Sequence, residues 1–370
     1  MFRIVADYIS TYRKTFAYAG ICFATSVILI FLARTSQIFA QLYATSVFPI
    51  FQNTIGRLFS PIPFSVLEIL IYATLILALY KLIKIIIFRK SKLISKFFRQ
   101  SICFLCSILL IFTLTASINY SRATFADETG LYVPNRTTED LIKLSLMFIE
   151  DISGLLEQIN IDENNLFILD RSMIHENAIT AMKTLGERYP QLRGYYPNPK
   201  AIIFSNAMSY LGITGIYSPF TMEANYNNDV ADYIIPFTIC HELSHFKGFM
   251  REDEANFIAY LACNSSDSAE FKYSGKLNAL IYTLRALNDH ATVSEYMAVY
   301  DLIPDQIKAE IIYNNLYWYE RTTPVTTMAK AANDQYLQAN AQADGVSSYG
   351  RIVDLLLAEY ADQINNAVLL

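Results

Sequence analysis

Charge is what this sequence has least of. Asp, Glu, Lys and Arg make up 17% of its 370 residues against 53% hydrophobic, a balance too apolar for an ordinary soluble enzyme. Nor is there a basic surplus. The formal net charge is −5 and no stripe of Lys and Arg interleaved with aromatics occurs, which argues against a nucleic-acid surface. Cysteine is scarce and badly placed for a disulfide framework. Cys22, Cys103 and Cys106 fall in apolar runs, and only Cys240 and Cys263 remain. A bridge between those two is open to an oxidising compartment, but each sits in an apolar helical stretch where a buried free thiol is expected. Internal repeats are absent. Histidine numbers four, and two of the four stand four residues apart.

The apolar excess is localised. Residues 15–33 and 101–118 carry no charge, and residues 63–88 carry Glu68 near one end and Lys81 and Lys84 near the other. Each run is long enough to cross a bilayer as a helix, with the long side chains reaching headgroups. The first exceeds a usual signal-peptide apolar core and two more follow, so it reads as an anchor. The spans hold no intramembrane ionisable cluster, which argues against transport. Arg3, Arg13 and Lys14 precede the first span, and Arg89, Lys90, Lys92, Lys96 and Arg99 lie between the second and third. The 35–62 connection has only Arg57, and Arg122 is the lone early cation after the third span. The positive-inside rule then predicts a cytoplasmic N-terminus and 89–99 loop, with everything after about residue 119 outside. Two domains are expected: a membrane domain over 1–118, and an extracytoplasmic domain over 119–370, large enough to bury its own core. Residues 35–62, aromatic and weakly polar, are expected along the outer membrane face.

In the outer domain Thr137 and Asp140 form a capping-box-like helix start, followed by the stripe Leu141, Leu144, Met147 and Phe148. A second helix is expected over about 175–187. "YYPNPKAIIFS" and "GITGIYSPFTMEANY" read as short strands, and from Asp229 onward the pattern is helical, with breaks at Gly248, 264–268, Pro304 and Gly345. The fold class is α+β and mainly helical, preceded by three transmembrane helices. Residues 218–228 are expected as an edge strand near the site.

The chemistry sits in "ICHELSHFKGFMREDEANFIAY", residues 239–260. On a helix His241 and His245 project from one face a turn apart and can share a metal ion, with Glu242 beside the open coordination position as general base. An unbroken helix would carry residue 252 about 10 Å past His245. Gly248 can take the left-handed conformation that ends a helix and turns the chain back. Glu252, Asp253 and Glu254 then open a second helix and are the candidate third ligands. His175 and His290 stand alone and read as surface or core histidines.

These residues resemble the zinc peptidases of gluzincin type, in which a glutamate from a later helix completes a His-Glu-x-x-His site. Those often carry Glu-x-x-Ala-Asp or Glu-x-x-Ala-Asn on that helix, matched here by Glu252, Ala255 and Asn256. The resemblance implies a zincin-like fold, Zn2+ held by His241, His245 and Glu252 with Glu254 as the alternative ligand, and Asn256 orienting an imidazole. Related peptidases with a longer motif place a third histidine where this chain has Arg251. The whole arrangement is similar to a family of bacterial membrane proteins with three N-terminal spans, the same core and a second block, "YLQANAQADGVSSYGRIVDLLL", residues 336–357. In that block Tyr349 and Arg351 are candidates to stabilise an oxyanion. The expected function is a membrane-anchored zinc metallopeptidase acting on a peptide or protein substrate. The alternatives are a non-catalytic metal-binding signalling or scaffold protein, or a zinc hydrolase of a non-peptide cell-envelope amide.

Overall fold

The computed structural model describes residues 12–133, 137–340, 342 and 345–367. Arg3 and the Tyr349 side chain lie outside the described residues. Three apolar helices come first: α1 (Arg13–Thr35), α2 (Val66–Phe88) and α3 (Ser91–Thr115), each long and apolar enough to cross a membrane. Helices α1 and α3 run side by side, with the Tyr18 and Ser107 hydroxyls 2.8 Å apart and the Arg99 guanidinium 3.4 Å from the centre of the Tyr12 ring. Helix α3 starts ten residues earlier than the sequence suggested. Lys92, Lys96 and Arg99 belong to its first turns, because Lys and Arg are good helix formers and alternate here with Leu93, Ile94, Phe97 and Phe98. Arg89, in the left-handed region at φ 49°, ends α2.

The stretch from Gln37 to Phe59 is a chain of short α- and π-helical turns. It was expected along a membrane face, and the structure packs one side of it into the protein. Ala40, Tyr43, Phe48 and Gln52 are buried, while Ile38, Leu42, Ile50 and Leu58 are exposed. The buried stripe packs into the large domain, where Gln52 Nε2 donates to the Phe246 carbonyl at 2.6 Å.

Helix α4 (Thr138–Ser153) begins where Thr137 Oγ1 accepts from the Asp140 N–H at 3.1 Å. A hairpin of β1 (Asn160–Ile161) and β2 (Phe167–Ile168) leads to α5 (Ile174–Arg188). Next come β3 (Lys200–Ala201), α6 (Ser205–Leu211), β4 (Gly215–Ser218) and β5 (Glu223–Tyr226). The sheet order is β3-β5-β4, with β5 parallel to β3 and antiparallel to β4 in the register Gly215↔Tyr226 to Ser218↔Glu223. The part of 218–228 expected at the edge is therefore the central, wholly buried strand, and Gly215–Ser218 is an edge, with Lys200–Ala201 the other. A tight reversal between β4 and β5 causes this: Met222 sits at φ 54° and its N–H donates to the Ser218 carbonyl at 2.7 Å.

The remainder is helical: α7 (Ile234–Phe246), α8 (Glu252–Ser265), α9 (Ala269–His290), α10 (Asp305–Arg321), α11 (Pro324–Ala339) and α12 (Ile352–Glu359). The protein is thus mostly helical with few strands. Helices α7, α8 and α9 form the centre of one core with α4 and α5 around it, and Phe125 holds Phe249 and Phe257 edge-on at 5.4 and 5.9 Å. Cys240 and Cys263 are free, fully buried thiols on α7 and α8.

Each apolar helix is fastened to this core at one end. The Glu223 carboxylate accepts the Val66 and Leu67 N–H groups at 3.0 and 2.9 Å, the orphan donors at the start of α2, and is itself paired with buried Lys200. Glu68 does not reach outward to headgroups. It is buried and accepts the N–H groups of Ile203 and Phe204 at 2.9 and 3.0 Å and the Tyr72 hydroxyl at 2.8 Å. At the end of α3 the Leu114 carbonyl accepts the Tyr43 hydroxyl at 2.7 Å, and Arg34 at the end of α1 donates to the Ala339 carbonyl.

Candidate metal centre

Helix α7 is buried along its entire length, so its two imidazoles need partners. It ends at Lys247, and Gly248 takes φ 86°. The Phe249 N–H returns to the Ser244 carbonyl at 3.2 Å, and a Cβ at 248 would come within 3.1 Å of the Phe48 ring besides being strained. Arg122, buried over the Phe249 ring at 4.0 Å, donates to the Lys247 carbonyl at 3.4 Å, placing a cation at the helix C-terminus. This turn lays the start of α8 back across α7.

The result brings His241, His245 and Glu252 together, one ligand atom from each within 4.8 Å of the others. Glu252 Oε2 is 3.2 Å from His241 Nε2 and 3.6 Å from His245 Nε2. A tetrahedral ion with bonds of about 2.0–2.1 Å holds its ligand atoms about 3.3 Å apart, so the spacing suits zinc. The outer ring nitrogens are both engaged: His241 Nδ1 with Asn256 Oδ1 at 2.8 Å and His245 Nδ1 with the Phe249 carbonyl at 2.8 Å. Donating Nδ1–H to these oxygens leaves both Nε2 lone pairs facing Glu252. Glu254 points elsewhere. It accepts the Phe125 N–H at 2.9 Å and sits 3.5 Å from Arg251.

The electrostatics favour a cation here. Burial alone would hold His245 neutral, but the Glu252 carboxylate outweighs it and lifts the imidazole to about 9. Burial would likewise raise Glu252, and the two imidazoles instead hold it well below the usual carboxylate range. Glu242 is raised to about 7, first by burial and then by Glu252, with the two histidines and the Tyr217 N–H opposing. Its Oε2 is buried with no hydrogen-bond partner, as suits a carboxylate aimed at an exchangeable proton.

These groups lie at the bottom of a cleft of about 940 Å³. Edge strand β4 runs along one side, and Gly215 passes so close that a Cβ would stand 2.3 Å from Glu242 Oε1. Tyr282 of α9 and Tyr336 of α11 also line the cleft. Both phenols are raised to about 12, chiefly by burial with the Glu252 charge adding, against Arg285 and Asn256 at Tyr282 and Tyr120 at Tyr336. The Tyr336 hydroxyl is 3.0 Å from that of Tyr120. Tyr336 opens the second block noted in the sequence, although Tyr349 and Arg351 looked the better candidates there. Arg351 is instead drawn to the Asp253 carboxylate, 3.5 Å from its Nε, and is not among the described residues lining the cleft. Nothing in the local sequence singled out Tyr282 or Gly215. His175 is satisfied by the Tyr226 hydroxyl at 3.0 Å and His290 by the Ala286 carbonyl at 2.8 Å.

Residues 43–357 match the family described as Protein of unknown function (DUF3810). The chain belongs to that family. No curated protein and no solved structure matches it. The DUF3810 match begins inside the segment packed on α7, takes in α2, α3, the sheet and the His-His-Glu cluster, and leaves α1 outside.

Proposed function

We propose that this protein is a membrane-anchored zinc-dependent metallopeptidase. The observation that carries the reading is the convergence of His241 Nε2, His245 Nε2 and Glu252 Oε2 beside a buried, partly unpartnered Glu242 at the bottom of a cleft. His241, His245 and Glu252 would hold the zinc, which supplies Lewis-acid polarisation of a water and of the scissile carbonyl. Glu242 takes the proton from the attacking water and delivers it to the leaving amine, which a carboxyl raised toward neutrality does well. Asn256 and the Phe249 carbonyl fix the imidazole tautomers. Edge strand β4 would align an extended substrate, and Tyr282 and Tyr336, which line the same cleft, are our candidates to meet an oxyanion. A motif helix, an edge strand beside it and a glutamate-bearing second helix together support a zincin-like fold for the large domain.

The orientation follows from charge. Arg13 and Lys14 of α1, Arg89 and Lys90, and Lys92, Lys96 and Arg99 of α3 all gather at the helix ends away from the large domain. The positive-inside rule makes that end cytoplasmic and the cleft extracytoplasmic.

The test is zinc per chain and peptide turnover of the full-length protein in detergent. Wild type should hold about one zinc; His245→Ala and Glu252→Ala should lose it, and Glu254→Ala should keep it. Glu242→Gln should keep zinc and lose turnover by a factor on the order of 10² or more. A folded wild type that takes up no zinc would overturn the reading, and zinc without hydrolysis of any peptide would leave a metal-binding protein.

A further inference from the structure

The cleft is built partly from the apolar helices. Phe112 and Ala116, at the end of α3, line it together with the zinc-site residues. Phe112 lies three residues inside the end of α3, about 4.5 Å below it, and its ring meets that of Tyr336 at 6.0 Å. The Tyr217 ring stands 6.3 Å from the His245 ring, and its hydroxyl lies 3.5 Å from the Thr115 carbonyl, the last residue of α3. One tyrosine therefore separates the candidate metal centre from the outer end of a span.

The rim beside the cleft is apolar and outward-facing. Ile203 and Phe204 are 64% and 59% exposed, just before α6, whose last residue Leu211 lines the cleft. Val325 and Met328 are 55% and 72% exposed on α11, the helix that carries Tyr336 into the cleft. α6 and α11 are neighbours, since the Thr326 hydroxyl donates to the Tyr210 carbonyl at 2.7 Å. The depth of Ile203 and Phe204 is set by α2. The Phe204 ring packs edge-on against Tyr72 at 5.6 Å, and Tyr72 lies six residues, about 9 Å, inside the outer end of that helix. At Ile203 and Phe204 the rim continues the exposed apolar surface of the spans, and apolar side chains so placed are covered by bilayer rather than water.

The occupant must also suit edge strand β4. The Thr214 carbonyl accepts from Asn227, just past β5, so alternate residues Gly215 and Tyr217 turn their main-chain groups away from the sheet, the Tyr217 N–H toward Glu242. An extended polypeptide can pair with those of the Gly215 and Tyr217 groups that Glu242 does not take, and an acyl chain cannot.

We infer that the cleft opens at the bilayer surface and takes a polypeptide tethered by its own membrane-spanning segment, whose residues next to that segment lie along Gly215–Ser218. This rests on the peptidase reading, and the experiment separates the two. In vesicles of brominated phosphatidylcholine, the full-length protein in a Trp318→Phe background, which removes the sole tryptophan, is given a reporter as Phe204→Trp, Met328→Trp or, on the helix Val293–Asp301 that packs on α4 and α9, Val293→Trp. In the same vesicles the wild-type protein is offered a mixed-sequence fluorogenic peptide library. The library is presented free, or on an apolar anchor of about 20 residues through a spacer of about three or about fifteen residues, reaching about 10 or 50 Å.

The expected result is bromine quenching at 204 and 328 but not 293, with the short-tethered library cleaved at least tenfold faster than the free or long-tethered one. No quenching at 204 and 328 would overturn the lipid-facing cleft. Quenching with equal cleavage of free and tethered peptides would overturn the tethered substrate while leaving the peptidase standing. Quenching with zinc bound but no peptide cleaved would overturn the peptidase reading and the substrate with it. Hydrolysis of an N-acyl amide lipid under those conditions would assign the cleft to lipid instead.

Discussion

Gly215 and Glu242 occupy space that leaves no room for a side chain between them: a Cβ on residue 215 would fall 2.3 Å from Glu242 Oε1 and 2.6 Å from Thr238 Cγ2. The edge strand's backbone lies directly against side chains of the motif helix, and the carboxylate is positioned by the strand's main chain, including the Tyr217 N–H. Gly215→Ala should therefore displace Glu242 or the strand. Turnover should fall on the order of 10²-fold, the effect of an ångström-scale misplacement. Stability should drop by about 1–3 kcal/mol from overpacking, and zinc content should stay near wild type. Assays of peptide hydrolysis and metal content on the same preparation would decide it; unchanged turnover would sink the proposed role of this contact.

The bond from His241 Nδ1 to Asn256 Oδ1 makes a prediction about affinity rather than chemistry. Without that acceptor the ring loses both its orientation and its preference for the tautomer that presents Nε2. Asn256→Ala should weaken zinc binding by about 10–100-fold, and Asn256→Asp, which keeps the acceptor, should recover most of it. Competition with a chromogenic chelator reads both. Equal affinity in all three proteins would mean that the ring is held by packing alone.

Helix spacing made His241, Glu242 and His245 readable from a single line of sequence, since a four-residue interval fixes a common face. Gly248 was readable for a similar reason: a left-handed residue is a local requirement, and glycine meets it. The choice between Glu252 and Glu254 needed the angle between α7 and α8, which depends on Phe48, Arg122 and Phe249 converging from separate parts of the chain. The same holds for the sheet. Pro, Gly, β-branched and aromatic residues without a helical period identified strands, but which one lay at the edge depended on Met222 reversing the chain. Tyr282 and Tyr336 are two among 26 tyrosines, and only long-range packing brings them to the cleft.

Glu310 gives the stability a pH dependence. Its carboxyl is buried on α10 and accepts the Phe167 N–H. Burial, with Asp232 and Asp162 adding to it and that N–H opposing, raises it from 4.5 to about 7. A carboxyl raised in the folded state binds its proton there while the unfolded chain has already released it, so between about pH 4.5 and 7 stability falls as pH rises, then levels off. Glu310→Gln keeps an acceptor and cannot ionise. It should match wild type below about pH 4.5 and exceed it above about pH 7, by on the order of 3 kcal/mol. Thermal unfolding in detergent at pH 4 and pH 8 measures the gap, and a gap independent of pH would rule out this assignment.

The fastening of α2 rests on Glu68, a buried acid near the end of that apolar helix that meets the large domain, which accepts from Ile203, Phe204 and Tyr72 at once. Each buried donor left without its acceptor costs about 1–3 kcal/mol, so Glu68→Ala should destabilise the protein by roughly 3 kcal/mol or more and free the 203–204 backbone first. Hydrogen exchange should accelerate at Ile203 and Phe204, while exchange along α7 and zinc content stay unchanged, because the His-His-Glu cluster is held from α7 and α8. Lys81→Ala provides the contrast: its ammonium makes an exposed contact with Gln100 Oε1 at 3.0 Å near the other end of α2, and its loss should change stability by less than about 0.5 kcal/mol. If Glu68→Ala were as mild as Lys81→Ala, the helix would be held by its apolar contacts alone, and the depth assigned to the cleft's rim would lose its anchor.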